Sequence, residues 1–297
     1  MVMTGISPVD HRCEVVRHLA HRRLEPAVEG LRLASDADLD EVVHDVRKRC
    51  KRVRALLRLV RADLGEDVYH QENRALRDAA RALAPVRDAA VLIQVHDDLV
   101  EEGAVPVGRF RTELVERHRE LRHQVLNGDT LPRLRESIAA AMARIDTWPL
   151  ETIEWETLGP GVKRVYGRGR KAMAAAYDDP TTERFHQWRK RAQYLRHQLG
   201  FLKELWPEVI GGSTKSAHAL TDVLGDAHDL AVLGQAVDAA RTDARRDGGS
   251  LSELIASRRA LLRARAEPIG LRLYAEKPSR FIARLGRYWN AGNHPAL

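Results

Sequence analysis

One helical pattern occurs twice in this chain, and that recurrence constrains the fold more than any other feature of the sequence. Residues 44–61, HDVRKRCKRVRALLRLVR, carry Lys or Arg at positions 47, 48, 49, 51, 52, 54, 58 and 61 and no acid after Asp45. At about 100° per residue, His44, Arg47, Lys48, Lys51 and Arg58 share one side of a helix. Val46, Cys50, Val53, Leu57 and Val60 share the other. An apolar stripe can seat in a core while the opposite face forms a band of positive charge. At a constant offset of 142, His186, Arg189, Lys190, Arg191, Tyr194, Leu195, Arg196 and Leu199 repeat His44, Arg47, Lys48, Arg49, Arg52, Val53, Arg54 and Leu57. A second pair follows: LAPVRDAAVL from Leu83 matches LGDAHDLAVL from Leu224 at an offset of 141. Two elements that keep nearly the same spacing in both halves predict an internal duplication.

The rest of the chain fits helices. Charged residues make up 31% and aromatics 5% of 297 residues, with no credible period-2 strand, so the predicted class is all-α. The expected architecture is one domain over 8–290, built from two similar antiparallel helical-bundle halves, 8–147 and 160–290, related by a pseudo-twofold axis. The net charge of +7 is modest because 49 basic residues meet 42 acids. Clustering is therefore what creates a field.

Taken in order, a first helix is expected over 9–33, and Asp36 or Asp38 can cap the basic helix, which Gly65 closes. The helix from Val68 to Leu83 places His70, Arg74, Arg77 and Arg81 on one face. Asp88 reads as a cap or as a partner orienting a nearby Arg, and Asp229 likewise, with Asp229 starting a separate helix. The break at Gly103 to Gly108, the turn Asn127-Gly128-Asp129, and a seam running from Trp148-Pro149 to Gly159-Pro160-Gly161 divide the remainder. In the second half Arg164, Arg168 and Lys171 share a face, the histidine helix spans 181–206, and Lys215 and His218 lie together on 213–224. Gly248-Gly249 precedes a helix over 251–266, and 278–289 forms the last one. Packing accounts for Trp148, Trp155, Trp188 and Trp206.

The chemistry follows from the basic faces. Arg and Lys at i, i+3, i+4 and i+7 repel one another until an anion sits among them; guanidinium forks onto two phosphate oxygens and Lys adds a mobile point charge. The competing explanation is a face laced with salt bridges to neighbouring helices, but the motif itself holds no matching acids. His44 and His186 have Arg and Lys neighbours, which oppose a cation, so no metal and no cofactor are expected and each histidine donates to phosphate. No G-x-x-x-x-G-K-[ST] loop is present to hold a nucleotide.

These residues resemble a known family. The duplicated histidine helix, GVKRVYGRGRKA ahead of HQWRKRAQYLRHQLGFL, and the paired Leu-x4-Asp-x2-Val-Leu segments from Leu83 and Leu224 are similar to the CHAD domain, the conserved histidine α-helical domain, over about residues 8 to 290. The resemblance implies two bundle halves around a basic central cavity that binds inorganic polyphosphate and associates with polyphosphate granules, without catalysis. It implies phosphate contacts from His44, Arg47, Lys48, Lys51, Arg52, Arg54, His186, Arg189, Lys190 and Arg196. Arg58, Arg74, Arg77, Arg164, Arg168, Lys171, Lys215 and His218 complete the expected donor set from their helix faces. Gln193, Tyr194 and His228 stand where the first copy has Lys51, Arg52 and Arg87, so the second half is expected to hold the ligand more weakly. Relatives that fuse this domain to a triphosphate tunnel domain carry E-x-E-x-K; Glu154-Trp155-Glu156 lacks the Lys, so a standalone member is expected.

Two other classes stand beside this one. A helical nucleic-acid-binding protein would use the same faces to track a backbone, with nucleic acid here expected only as a non-specific competitor. A phosphoanhydride-processing enzyme would need acids holding a divalent metal. Cys13 and Cys50 match neither a disulfide framework nor a zinc site, and no apolar run approaches a membrane span, so a soluble, cytoplasmic protein is expected.

Overall fold

The apolar stripe of the first histidine helix is fully absorbed by the core: Val46, Cys50, Val53, Leu57 and Val60 are all buried. So are Trp188, Ala192, Leu195 and Leu199 on its counterpart. These contacts come from a computed structural model that describes residues 8–102, 108–205, 207–239 and 244–292. Within those residues the chain forms eleven α-helices, one 3-10 turn and no strand. They are α1 (Pro8–Leu33), α2 (Leu39–Leu59), α3 (Arg61–Ala82), α4 (Ala84–Glu101), α5 (Arg109–Asn127), α6 (Thr130–Ala143), α7 (Trp155–Asp178), α8 (Thr182–Leu205), α9 (Pro207–Ala239), α10 (Ala244–Leu273) and α11 (Pro278–Gly292). Trp206 and most of the 103–108 break lie outside the described residues.

Helix α1 rests on α2 and α6, and α7 rests on α8 and α11. Each histidine helix packs on the helix that follows it, and α2 and α8 touch directly. One apolar cluster runs through the molecule from Cys13 on α1 to Leu285 on α11. A smaller one, built on Leu99, Leu114, Leu230, Leu233 and Ile255, ties α4 and α5 to α9 and α10. Helices α3 and α6 are joined by a forked ion pair in which Arg144 Nε and Nη2 reach Glu72 at 2.6 and 3.0 Å. Glu72 is only 2% exposed.

Several local expectations are corrected. Gly65 does terminate a helical run, with φ at +73°, a left-handed conformation that favours glycine. The helix already bends at Val60, however, so that run is split between α2 and α3. Asp38 stands at the start of α2, yet its carboxylate accepts from Ser35 N–H and Oγ at 2.7 Å rather than from the helix. Asp88 lies in the second turn of α4, whose N-cap is Leu83. Asp229 lies inside α9 and starts no helix. The reason is proline chemistry: Pro85, near the start of α4, could not follow α3 in one unbroken helix because it lacks an N–H. Its counterpart is Asp226, so α9 continues through that point. Gly248-Gly249 falls inside α10 and does not delimit it.

The seam is shorter than the glycines suggested. Residues 148–154 are non-helical, and α7 opens at Trp155 with a capping box between Glu154 and Thr157. Glu154 also pairs with Arg12 at 2.7 Å. Gly159-Pro160-Gly161 is therefore inside the helix, and its second glycine is there for closeness: a Cβ on Gly161 would sit 2.4 Å from the Leu59 carbonyl oxygen and 2.8 Å from that of Arg58. Gly161 lets α7 press against the C-terminal end of α2, backbone to backbone.

Candidate functional site

Direct packing of α2 on α8 brings the two copies of the motif into one electrostatic neighbourhood. Arg47 donates to the Ala80 carbonyl and lies 3.7 Å from Asp88. Burial disfavours its charged form, and Arg87 and Arg189 push in the same direction against Asp88. Lys51 is affected most: burial, then the charges of Arg47 and Arg189, pull its ammonium from 10.5 down to about 8. Across the seam between α2 and α8, Arg189 is similarly depressed by burial and is opposed by Asp229, Asp88 and Asp226. Asp88 and Asp229 thus act as partners of the motif arginines, the second of their two expected roles, while burial raises the carboxyl of Asp229.

The histidines differ between copies. His44 is exposed at the surface, and partial desolvation of its ring, then the charges of Arg87, Lys48 and Lys51, lower its pKa below the ordinary imidazole value. In the second copy the ring of His228 replaces that arginine and meets His186, with Nδ1 atoms 3.3 Å apart and ring centroids 4.5 Å apart. Burial, Arg189 and His186 lower His228 to about 3. Lys190 flanks His186, and Lys48 is exposed beside His44.

Two basic clusters lie on either flank of the seam. On one, Arg52 is disfavoured by burial and by Arg23, Arg196 and Arg49, and His197 beneath them is lowered to about 3, first by burial and then by Arg196, Arg52 and Lys51. Arg196 donates to Thr221 Oγ1 at 3.0 Å and reaches His218 Nε2 and Asp222 at 3.0 and 3.4 Å. His218 is in turn bound to Asp222 at 2.6 Å, so these two expected donors already have an acid between them.

The other flank forms a pocket between α2, α3, α7 and α8. Arg58 of α2 and Arg61 of α3 face Arg164 and Arg168 of α7 and Arg191 and Tyr194 of α8, with Tyr69 and Val165 on the inner wall. Asn73 Oδ1 accepts from both Arg54 Nε, at 3.1 Å, and Arg58 Nη2, at 3.0 Å. Arg58 lies over the Tyr194 ring and Arg61 over Tyr69, each at 4.1 Å from the centroid. Arg61 also pairs with Glu66. Arg164, Arg168 and Arg191 make no hydrogen bond or ion pair among the described residues, although the charge of Arg164 is felt at Glu66. The close approach at Gly161 sets this geometry, because Arg164 and Arg168 lie one and two turns further along α7.

The remaining expected donors are elsewhere. Arg77 bonds to its neighbour Asp78 at 2.8 Å, and the charge of Arg74 is also felt at Asp78. Lys171 and Lys215 are exposed and do not line the pocket. Sequence reasoning missed Arg61, Tyr69 and Arg191 in the pocket and Arg23, Arg87 and His197 at the seam. Arg61 was legible three residues after Arg58, and Arg191 within the repeated motif; Tyr69 and Arg23 carried no local signal. Among the described residues no group of His, Cys, Asp or Glu could hold a metal ion. No helix there is long and apolar enough to cross a membrane.

Residues 17–238 match the family described as CHAD domain. A solved structure titled PptA from Streptomyces chartreusis superposes with a TM-score of 0.59 at 16% identity, covering 95% of this chain and all of that one. No curated protein matches the sequence.

Proposed function

The chain belongs to the CHAD domain family, and from that premise we propose that it binds inorganic polyphosphate through the basic groups at the α2–α8 seam, in association with polyphosphate granules and without catalysis of its own. The observation that carries this reading is Lys51. An ammonium lowered to about 8 by burial and by Arg47 and Arg189 is a poor structural ion. An anionic chain beside it would relieve the repulsion, satisfy the donors and restore the charge.

The helix order supports a reading as two repeats, 8–147 and 160–290, about a pseudo-twofold axis, with a basic cavity between them. Helix α1 meets α2 and α6 as α7 meets α8 and α11. The acid near each motif arginine, Asp88 for Arg47 and Asp229 for Arg189, follows the same symmetry. In this reading His44, Lys48, His186 and Lys190 contact the ligand along with the seam residues, and the second copy, with His228 in place of an arginine, contributes less.

Titration with polyphosphate of defined lengths at two salt concentrations tests this, with DNA of equal phosphate content as the comparison. The expected result is affinity that rises with chain length, falls steeply with salt and is not matched by DNA. Substituting Arg47→Glu with Lys48→Glu should abolish binding. Equal or stronger binding to DNA would make the surface a general polyanion face. Phosphate release with added Mg²⁺ or Mn²⁺ would assign the chain to the enzymes instead.

A further inference from the structure

The pocket between α2, α3, α7 and α8 has a different character from the seam. At the seam basic groups alternate with Asp88, Asp226 and Asp229. The pocket gathers five arginines, at 58, 61, 164, 168 and 191, with Glu66, paired to Arg61, as their acid. Arg58 and Arg61 are held in place by Asn73, Glu66 and two tyrosine rings, whereas Arg164, Arg168 and Arg191 point donors with no acceptor among the described residues. The inner wall is Tyr69 and Val165, each 5% exposed and each part of the main core, so packed protein lies behind it. A chain can enter this pocket but has no way through.

Building on the polyphosphate reading above, we infer that this pocket captures the free end of a polyphosphate chain. The ends of such a chain differ chemically from its middle. A terminal phosphate, like a phosphomonoester, carries close to two negative charges at neutral pH and presents three outer oxygens. An internal unit carries one charge on two. Concentrated arginine donors that fork onto paired oxygens favour the end, and the closed inner wall excludes a unit bonded on both sides. Arg58 stands fourteen residues from His44 on one uninterrupted helix, about 21 Å along its axis. A chain with its end at Arg58 would have its body directed along α2 toward the histidine face.

The test compares long-chain polyphosphate with free ends and the same chain with both ends capped as phosphoramidates, which leaves one charge on each terminal unit, each titrated into the intact 297-residue chain. The wild type is expected to bind the free-ended chain about tenfold more tightly. The double variant Arg164→Ala with Arg191→Ala should lose that preference while still binding the capped chain as the wild type does. A variant carrying Arg47→Glu alone should weaken binding of both chains and keep their ratio. Equal affinity of the wild type for the two chains overturns the end-capture inference and leaves polyphosphate binding intact. Binding of neither chain overturns both. Circular dichroism of the double variant distinguishes a lost pocket from a lost fold, and an unfolded double variant is replaced by Arg168→Ala, whose side chain is exposed.

Discussion

The guanidinium of Arg58 on α2 lies 4.1 Å from the centre of the Tyr194 ring on α8. The two residues belong to the two copies of the repeated helix, so a cation–π contact fastens one copy to the other. A contact of this kind is worth about 0.5–2 kcal/mol depending on desolvation. Tyr194→Leu should therefore lower the free energy of unfolding by about 1 kcal/mol in urea titration, and Tyr194→Phe should leave it nearly unchanged.

Lys51 should make stability depend on alkaline pH. Its pKa falls to about 8 in the fold because of burial and then Arg47 and Arg189, against about 10.4 in an unfolded chain. Between those values the unfolded chain holds a proton that the folded one has released, so stability rises with pH across that window and levels above it. In Lys51→Met that rise should disappear from unfolding curves measured at pH 7.5 and pH 10. A bound anion favours the ammonium, so polyphosphate binding near pH 8.5 should take up a proton, visible as a buffer-dependent heat in calorimetry.

Acid should act in the opposite sense through the histidines. His197 and His228 are lowered to about 3, mainly by burial, and His44 and His186 move the same way. As pH falls below about 6.5, the unfolded chain takes up protons that the folded one refuses, so stability is lost progressively from pH 6.5 toward pH 3. The urea midpoint should drop between pH 7 and pH 5, and His228→Gln should reduce the drop.

Arg144 holds the carboxylate of Glu72, which is only 2% exposed. Arg144→Ala leaves that carboxylate without its partner; because Arg144 is itself 34% exposed, the expected cost is that of an unsatisfied buried acceptor, about 1–3 kcal/mol. The double variant with Glu72→Leu should recover much of the loss. Chemical denaturation of the single and double variants measures both.

Gly161→Ala should separate α7 from α2, since the added Cβ would meet the Leu59 carbonyl at 2.4 Å. Overpacking of this kind costs about 1–3 kcal/mol, and here it falls on rigid backbone. Gly65→Ala is the contrast: its Cβ meets nothing within 4 Å, and its cost comes from φ at +73°. Both variants should be less stable in thermal melts, but only Gly161→Ala should alter anion binding at Arg164 and Arg168.

Legibility in the sequence followed the physics of each signal. The stripes of α2 and α8 were readable because an apolar face repeats every turn, and Val46 through Val60 and Trp188 through Leu199 are buried as that period requires. Helix punctuation was read less well. Asp88 and Asp229 look like caps because acids favour helix starts, yet both serve arginines inside helices, and the residue that differs is Pro85 against Asp226. Gly161 looked like a break because close packing and chain reversal both call for glycine, and a sequence does not say which. The pocket was the least visible feature: its donors come from α2, α3, α7 and α8, and only packing brings Arg61, Arg191 and Tyr69 together.

Both cysteines are sealed in the core, and burial drives the Cys50 thiol up to about 12. Cys50 lies on the inward face of the same helix whose outward face carries His44 and Lys48. A thiol-alkylating reagent therefore cannot reach it while α2 remains seated, even though arginine charge is close by. The chain contains its own clock for α2: the rate at which Cys50 is trapped counts how often that helix lifts from the core, with no label added to the basic face.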